Sequence, residues 1–195
     1  MKRILGSACL IATLALSTGA ALADGIAGRP GITGRLGFSL PSKGEIVSGG
    51  TLADYDTDAA FIGGGGFIYG IDKNFAIEFD ITRSSFGSEQ GDAGITNLSF
   101  GAQYRFSPQE KLVPYAGGGL DILINDLKGH NVDTVMGIHL SGGADYFILK
   151  DVALNAEGKI VLSPEADIEN GAGARVGRFN PSGFTGTVGV RYFFK

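Results

Sequence analysis

The sequence predicts an all-β fold: one eight-stranded antiparallel up-and-down barrel of the kind that crosses a membrane. Three observations predict it. The last stretch, Gly183 to Phe194, places Phe184, Val188, Val190, Tyr192 and Phe194 on one face and Thr185, Thr187, Gly189 and Arg191 on the other. That period of two marks a strand with one apolar face. Seven other stretches show the same alternation. The connections between them are long and short in turn, the asymmetry of a barrel with tight turns at one mouth and longer loops at the other.

Composition agrees. The 195 residues suit one domain with a real core. A net charge of −4 argues against a nucleic-acid binder, which needs a basic face. Charged residues make up 18%, below the roughly 25% of soluble domains. There are 33 glycines, 13 Phe and 6 Tyr, a mixture that suits a sheet whose outside meets lipid. Lys2 and Arg3, the apolar run Ile4 to Leu16 and the small-x-small Ala21-Leu22-Ala23 form a predicted export signal over residues 1–23. The barrel domain is then 24–195. Cys9, the single cysteine, falls inside that signal, so the mature chain offers neither disulfide nor thiol. No later apolar run is long enough for a membrane helix, so a membrane reading requires a closed barrel.

The strands follow in order. Gly31 to Leu40 aligns Ile32, Leu36, Phe38 and Leu40. Ala59 to Tyr69 is interrupted by Gly63 to Gly66, with Phe61, Phe67 and Tyr69 marking the outward face. Phe75 to Thr82 alternates Phe75, Ile77, Phe79 and Ile81 with Ala76, Glu78, Asp80 and Thr82. Thr96 to Phe106 sets Leu98, Phe100, Tyr104 and Phe106 against Asn97, Ser99, Gln103 and Arg105. In Leu112 to Ile124, Leu120, Ile122 and Ile124 oppose Tyr115, Asp121 and Leu123. In Thr134 to Tyr146, Met136, Ile138 and Leu140 oppose His139, Ser141 and Asp145. Val152 to Leu162 opposes Leu154, Ile160 and Leu162 to Asn155, Glu157 and Lys159. The stretch 183–194 completes the eight. Short turns are predicted at 70–74, 107–111 and 147–151, and polar loops at 41–58, 83–94, 125–133 and 163–182. Tyr69, Phe75, Phe106, Tyr146, Tyr192 and Phe194 gather at the turn side as an aromatic girdle. Alternation alone leaves a second reading open, a soluble barrel with its apolar face turned inward around a ligand.

From Val113 onward the chain resembles the OmpW-like family of small outer-membrane barrels. The resemblance rests on Pro114-Tyr115-Ala116-Gly117-Gly118-Gly119-Leu120, Gly142-Gly143-Ala144-Asp145-Tyr146-Phe147 and Asp151-Val152-Ala153-Leu154-Asn155-Ala156-Glu157. Asn180-Pro181 and Val188-Gly189-Val190-Arg191-Tyr192-Phe193 extend it. It implies a Gram-negative outer-membrane location, both termini periplasmic, and a narrow route for small apolar solutes. Two features depart from the family pattern: several charges on the inner face, and Lys195 after the terminal aromatic. The implied partners are outer-membrane lipids, lipopolysaccharide and the barrel assembly machinery. The last would read Val188, Val190, Tyr192 and Phe194 as a C-terminal signal.

The candidate site is the inner face: Arg35, Glu78, Asp80, Arg105, Asp121, His139, Glu157, Lys159 and Arg191. An eight-stranded barrel is narrow enough to be filled by side chains, and unpaired charges there are costly. Strand closure is expected to set Arg191 beside Arg35 and Glu157. A salt-bridge plug and a re-pairing gate are both compatible with this set. His139 and Ser141 make a His-x-Ser pair, as in outer-membrane lipid hydrolases. Their parity points into the lumen and away from lipid, so no catalytic residue is assigned and no enzyme is expected. Asp54 to Asp58 begins like a calcium loop, but Ala59 replaces the turn glycine and Gly65 the bidentate Glu, so neither metal nor cofactor is expected. Lys128, His130, Arg175 and Arg178 are loop cations that could meet lipopolysaccharide phosphates.

Overall fold

The computed structural model describes residues 25–42, 44–48, 51–55, 59–86, 93–127, 131–169 and 175–195. The predicted export signal and the acidic stretch 56–58 lie outside the described residues. The strands are β1 (Pro30–Pro41), β2 (Gly44–Ser48), β3 (Thr51–Tyr55), β4 (Ala60–Gly70), β5 (Phe75–Phe86), β6 (Ala93–Arg105) and β7 (Leu112–Leu127). They continue with β8 (Asn131–Val132), β9 (Val135–Phe147), β10 (Val152–Leu162), β11 (Ala166–Glu169), β12 (Arg175–Phe179) and β13 (Gly183–Phe193). Eight of them close into an antiparallel barrel in the order β1-β13-β10-β9-β7-β6-β5-β4. The first and last barrel strands pair from Gly31↔Phe193 to Pro41↔Gly183, which seals the wall.

The barrel is inside out relative to a soluble protein. Leu140 is 69% exposed, Met136 64% and Val188 63%, while Arg191 and Asp145 are 0% exposed. Apolar side chains left facing outward around the whole wall are stable only against lipid, where they cost nothing to expose. The soluble-barrel reading is thereby overturned. Replacing Leu140 with arginine, on this outward face, is expected to cost about 2–4 kcal/mol of folding stability in bilayers if it lies near the midplane. Urea unfolding in lipid vesicles measures it, and a neutral result would place the residue away from hydrocarbon.

The long connections depart from the prediction. Parts of 41–58, 125–133 and 163–182 form a second sheet in the order β3-β2-β12-β11-β8, at the loop mouth. The strands flanking 83–94 also run on, to Phe86 and from Ala93. Glycine, serine and aspartate made these segments look like coil. Yet one of them carries a short alternating piece with Ala166 and Ile168, which are 0% and 3% exposed. Such short strands gain stability only by pairing with one another, so the neighbouring hairpin decides the outcome.

At the opposite, turn mouth the residues before β1 fold back across the opening. Gly28 takes φ 71°, a left-handed conformation that glycine adopts without penalty. This lets Gly28 N–H donate to Gly70 O at 2.7 Å and Gly70 N–H donate to Arg29 O at 3.1 Å. Arg29 then stitches the two ends of the chain together. Its Nη2 lies 2.6 Å from Asp151 Oδ1 and 2.9 Å from Phe193 O, and its Nε lies 3.0 Å from Phe194 O. Ile26 turns into the mouth and joins Ile68, Ala76, Val113, Phe147, Ala153 and Phe193 in a buried apolar plate.

Candidate functional site

Inward side chains come from every second residue of each barrel strand, so the lumen is built in rows. Above the apolar plate lies a continuous ionic network. Arg35 of β1 sends Nη2 to Glu78 Oε1 at 2.6 Å and to Asp80 Oδ1 at 3.0 Å, and Nη1 to Glu157 Oε1 at 2.8 Å. Arg191 of β13 contacts the same Glu78 oxygen at 2.7 Å and Asp145 Oδ2 at 3.0 Å. Arg105 of β6 lies 2.8 Å from Asp145 Oδ2. Neutral groups add further hydrogen bonds to the network's carboxylates. Gln103 Nε2 donates to Glu78 Oε2 at 2.8 Å, Tyr115 Oη to Glu157 Oε2 at 2.9 Å, and Asn155 Nδ2 to Asp145 Oδ1 at 2.8 Å. Such extra hydrogen bonds are what make buried ion pairs tolerable.

Gly66 shows how the wall serves the network. It stands opposite Asp80 across β4 and β5, and a Cβ added there would run into the Asp80 carboxylate. Gly66 thus leaves room for the buried Asp80 charge.

A second cluster lies toward the loop mouth. His139 Nδ1 is 2.7 Å from Asp121 Oδ2, and Asn97 Nδ2 donates to Asp121 Oδ1 at 2.9 Å. Ser99 Oγ also donates to Asp121. Lys159 Nζ donates to Ser99 Oγ at 3.2 Å and stands 3.9 Å from Asp80 Oδ2. Among the described residues no group of three or more His, Cys, Asp or Glu is placed to hold a metal ion.

All nine inner-face candidates therefore lie in the lumen, in two connected clusters. One expected contact differs. Arg191 pairs with Asp145 and Glu78, because the register sets Arg35 opposite Gly189 and Glu157 opposite Thr187. This places Arg191 on a row nearer the turn mouth. Asp145, Gln103, Tyr115 and Asn155 complete the network and were absent from the candidate set. Their signal was in the sequence: each is polar, or carries a polar tip, at an inward parity position. The apolar plate is not legible from parity, because Phe147 and Phe193 sit at strand ends and Ile26 precedes the first strand. Of the loop cations, Arg175 lies 2.5 Å from Asp167 Oδ1 and Arg178 lies 3.2 Å from Glu165 Oε2. Both are paired with nearby carboxylates, while Lys128 and His130 lie outside the described residues.

A closed antiparallel wall with an apolar outside and a charged, filled inside defines a membrane β-barrel. No helix among the described residues is long and apolar enough to cross a membrane. The family model named outer membrane protein β-barrel domain matches residues 8–194, and the chain belongs to that family. In fold it is similar to the outer membrane protein OprG from Pseudomonas aeruginosa, with a TM-score of 0.67 at 16% identity over 89% of this chain and 99% of that one. It is also similar to the outer membrane protein AlkL in DMPC bilayers, with a TM-score of 0.61 at 20% identity over 92% and 96%. The E. coli outer membrane protein W matches with a TM-score of 0.52 at 20% identity over 86% and 98%. No curated protein sequence matches the chain.

Proposed function

We propose that this outer-membrane barrel is non-conducting, a closed wall that holds the sheet at its loop mouth against the cell exterior for surface contact. The observation that carries the reading is the double closure of the lumen: the apolar plate around Phe193 and, above it, the Arg35–Glu78–Arg191–Asp145 network. Water and ions crossing the barrel would have to break both. The turn mouth faces the periplasm in this reading, and the loop mouth faces lipopolysaccharide or a host surface. Val188, Val190, Tyr192 and Phe194 present the outward edge of the closing strand to the assembly machinery, and the chain performs no catalysis.

Planar-bilayer recording tests this. The wild-type barrel is expected to stay silent, as are Glu78→Gln and Arg191→Gln. A steady current that changes in either variant would replace the plug with a gate. Narrow passage of small solutes is the second reading, favoured by a cavity of about 40 Å³ above the network, lined in part by Arg35, Lys159 and Thr187. Lipid A mass spectra altered by His139→Ala would overturn the non-catalytic assignment.

A further inference from the structure

The outward face of the wall carries one polar island. Among the described outward positions of the eight barrel strands, Arg83 and Asp126 are the only charged residues, and they meet. Arg83 of β5 reaches across β6 to Asp126 of β7, with Nη1 3.0 Å from Asp126 Oδ2. On the way the same Nη1 donates to Thr96 Oγ1 of β6 at 2.8 Å. The backbone makes room for this. Gly94 pairs with Asp126, and a Cβ added there would stand 3.0 Å from Arg83 Nη2. On the other flank Gly63 of β4 pairs with Arg83 and contributes no side chain. Both charged side chains stay open to the surroundings, 55% exposed for Arg83 and 56% for Asp126.

Height on the wall decides what meets this pair. From Tyr104 in the turn-side girdle to Thr96, β6 climbs about 26 Å at about 3.3 Å per residue. At a strand tilt of about 40° that is about 20 Å along the membrane normal. Asp126, opposite Gly94, stands one outward position higher. The apolar band of such barrels is about 25 Å tall. Arg83 and Asp126 therefore sit where hydrocarbon gives way to head groups. Beneath them Ile81, Leu98 and Ile122 lie in register across β5, β6 and β7. Ile81 and Ile122 are exposed to lipid.

The pair has bonding capacity left on both sides. Arg83 uses only Nη1, so Nε and Nη2 have no hydrogen-bond partner among the described residues. Asp126 uses only Oδ2, which leaves Oδ1. An exposed ion pair of this kind gains little for the fold by itself. A guanidinium fork takes a phosphate through two parallel N–H bonds. A phosphate alone would also approach the Asp126 carboxylate, whose Oδ2 lies 3.0 Å from Arg83, and like charges repel. The matching head group therefore carries an ammonium beside its phosphate. Phosphoethanolamine does, on a short link, and its N–H donors suit a carboxylate. Phosphocholine has no N–H to give, and phosphoglycerol has no cation. We propose that Arg83, Thr96 and Asp126 form a lipid head-group site on the outer wall that selects phosphoethanolamine. Its phosphate lies on Arg83 Nε and Nη2, its ammonium on Asp126, and its acyl chains along Ile81, Leu98 and Ile122.

The site is on the outside of the wall, so it stands whether or not the lumen conducts, and its test needs no bilayer current. The chain has no tryptophan, so the full mature barrel can carry single reporters. Ile81→Trp stands beside the site, and Ile160→Trp stands on β10, across the barrel from β5. Each would be placed in phosphatidylcholine bilayers with one lipid brominated in its acyl chains, bearing a phosphoethanolamine, phosphocholine or phosphoglycerol head group. Quenching then gives the relative affinity at each reporter. The expected result is a preference for phosphoethanolamine lipid of about threefold or more at Ile81→Trp and none at Ile160→Trp. Adding Asp126→Asn should abolish the preference over phosphoglycerol, and adding Arg83→Gln should abolish the preference over phosphocholine. Lipopolysaccharide with and without phosphoethanolamine identifies the carrier. Displacement of the brominated lipid by the modified form alone assigns the head group to the glycolipid, and displacement by neither assigns it to the phospholipid. The proposal is overturned if the two reporters agree, if phosphoglycerol lipid matches phosphoethanolamine lipid with Arg83 and Asp126 both intact, if either variant keeps its preference, or if unmodified lipopolysaccharide also displaces the brominated lipid.

Discussion

Replacing Asp145 with leucine is expected to destabilise the barrel by about 3–5 kcal/mol, the penalty for removing one partner of a buried ion pair. Asp145 is fully buried between Arg105 at 2.8 Å and Arg191 at 3.0 Å. Asn155 also donates to it at 2.8 Å. Without the carboxylate, two guanidinium groups remain in the lumen with less than their share of negative charge. Glu78 still answers Arg191, at 2.7 Å, but it must already serve Arg35. The loss is therefore felt along the whole chain of contacts rather than at one pair. Adding Arg191→Met to Asp145→Leu should recover part of the lost stability and no more, because Arg105 still faces the gap. Urea unfolding in lipid vesicles, followed by the electrophoretic shift between folded and unfolded barrel, measures both. A single variant as stable as wild type would mean that the network carries no structural weight and that its charges are free to rearrange.

Phe193→Ala is expected to cost a similar amount, about 3–5 kcal/mol for a large aromatic removed from a packed core. Phe193 is 0% exposed and stacks on Phe147, with ring centroids 5.8 Å apart. Arg29 places its guanidinium carbon 5.9 Å from the ring centroid while also bonding the Phe193 carbonyl. Removing the ring opens the apolar plate under Ile26 and takes away one support of the chain-end clasp. Phe194, the next residue, gives the contrast. It is 40% exposed and meets Tyr192 edge-on at 5.1 Å on the lipid side. Phe194→Ala should leave unfolding nearly unchanged in the same assay and act instead on the yield of assembled barrel. Equal unfolding penalties for the two variants would mean that Phe193 does not form a core.

The two phenylalanines also show what was legible in the sequence. Outward and inward faces were readable wherever four or more residues alternate, because the period of a strand is set by local backbone geometry. Phe75 to Thr82 and Val152 to Leu162 needed nothing more. The same rule reached nearly all of the charged lumen, since a charge on the inner parity of a narrow barrel has nowhere else to go. It did not reach the pairing. Whether Arg191 meets Glu157 or Asp145 depends on register across two seams, which is a property of the closed sheet. Nor did it reach the outer sheet, whose five short strands hold one another and have little alternation of their own.

The sequence by itself determined an eight-stranded wall, its strand count, its two faces and the asymmetry of its mouths, because each follows from side chains within one segment or one turn. Through its low charge, predicted export signal and terminal aromatic it also pointed the apolar face outward, which alternation alone left open. The tertiary structure bore that out, and it decided which side chains meet across the lumen, in the ion pairs around Asp145 and in the plate of Phe147, Phe193 and Ile26. Those contacts bring together residues from distant strands. Only closing the ring puts them in contact.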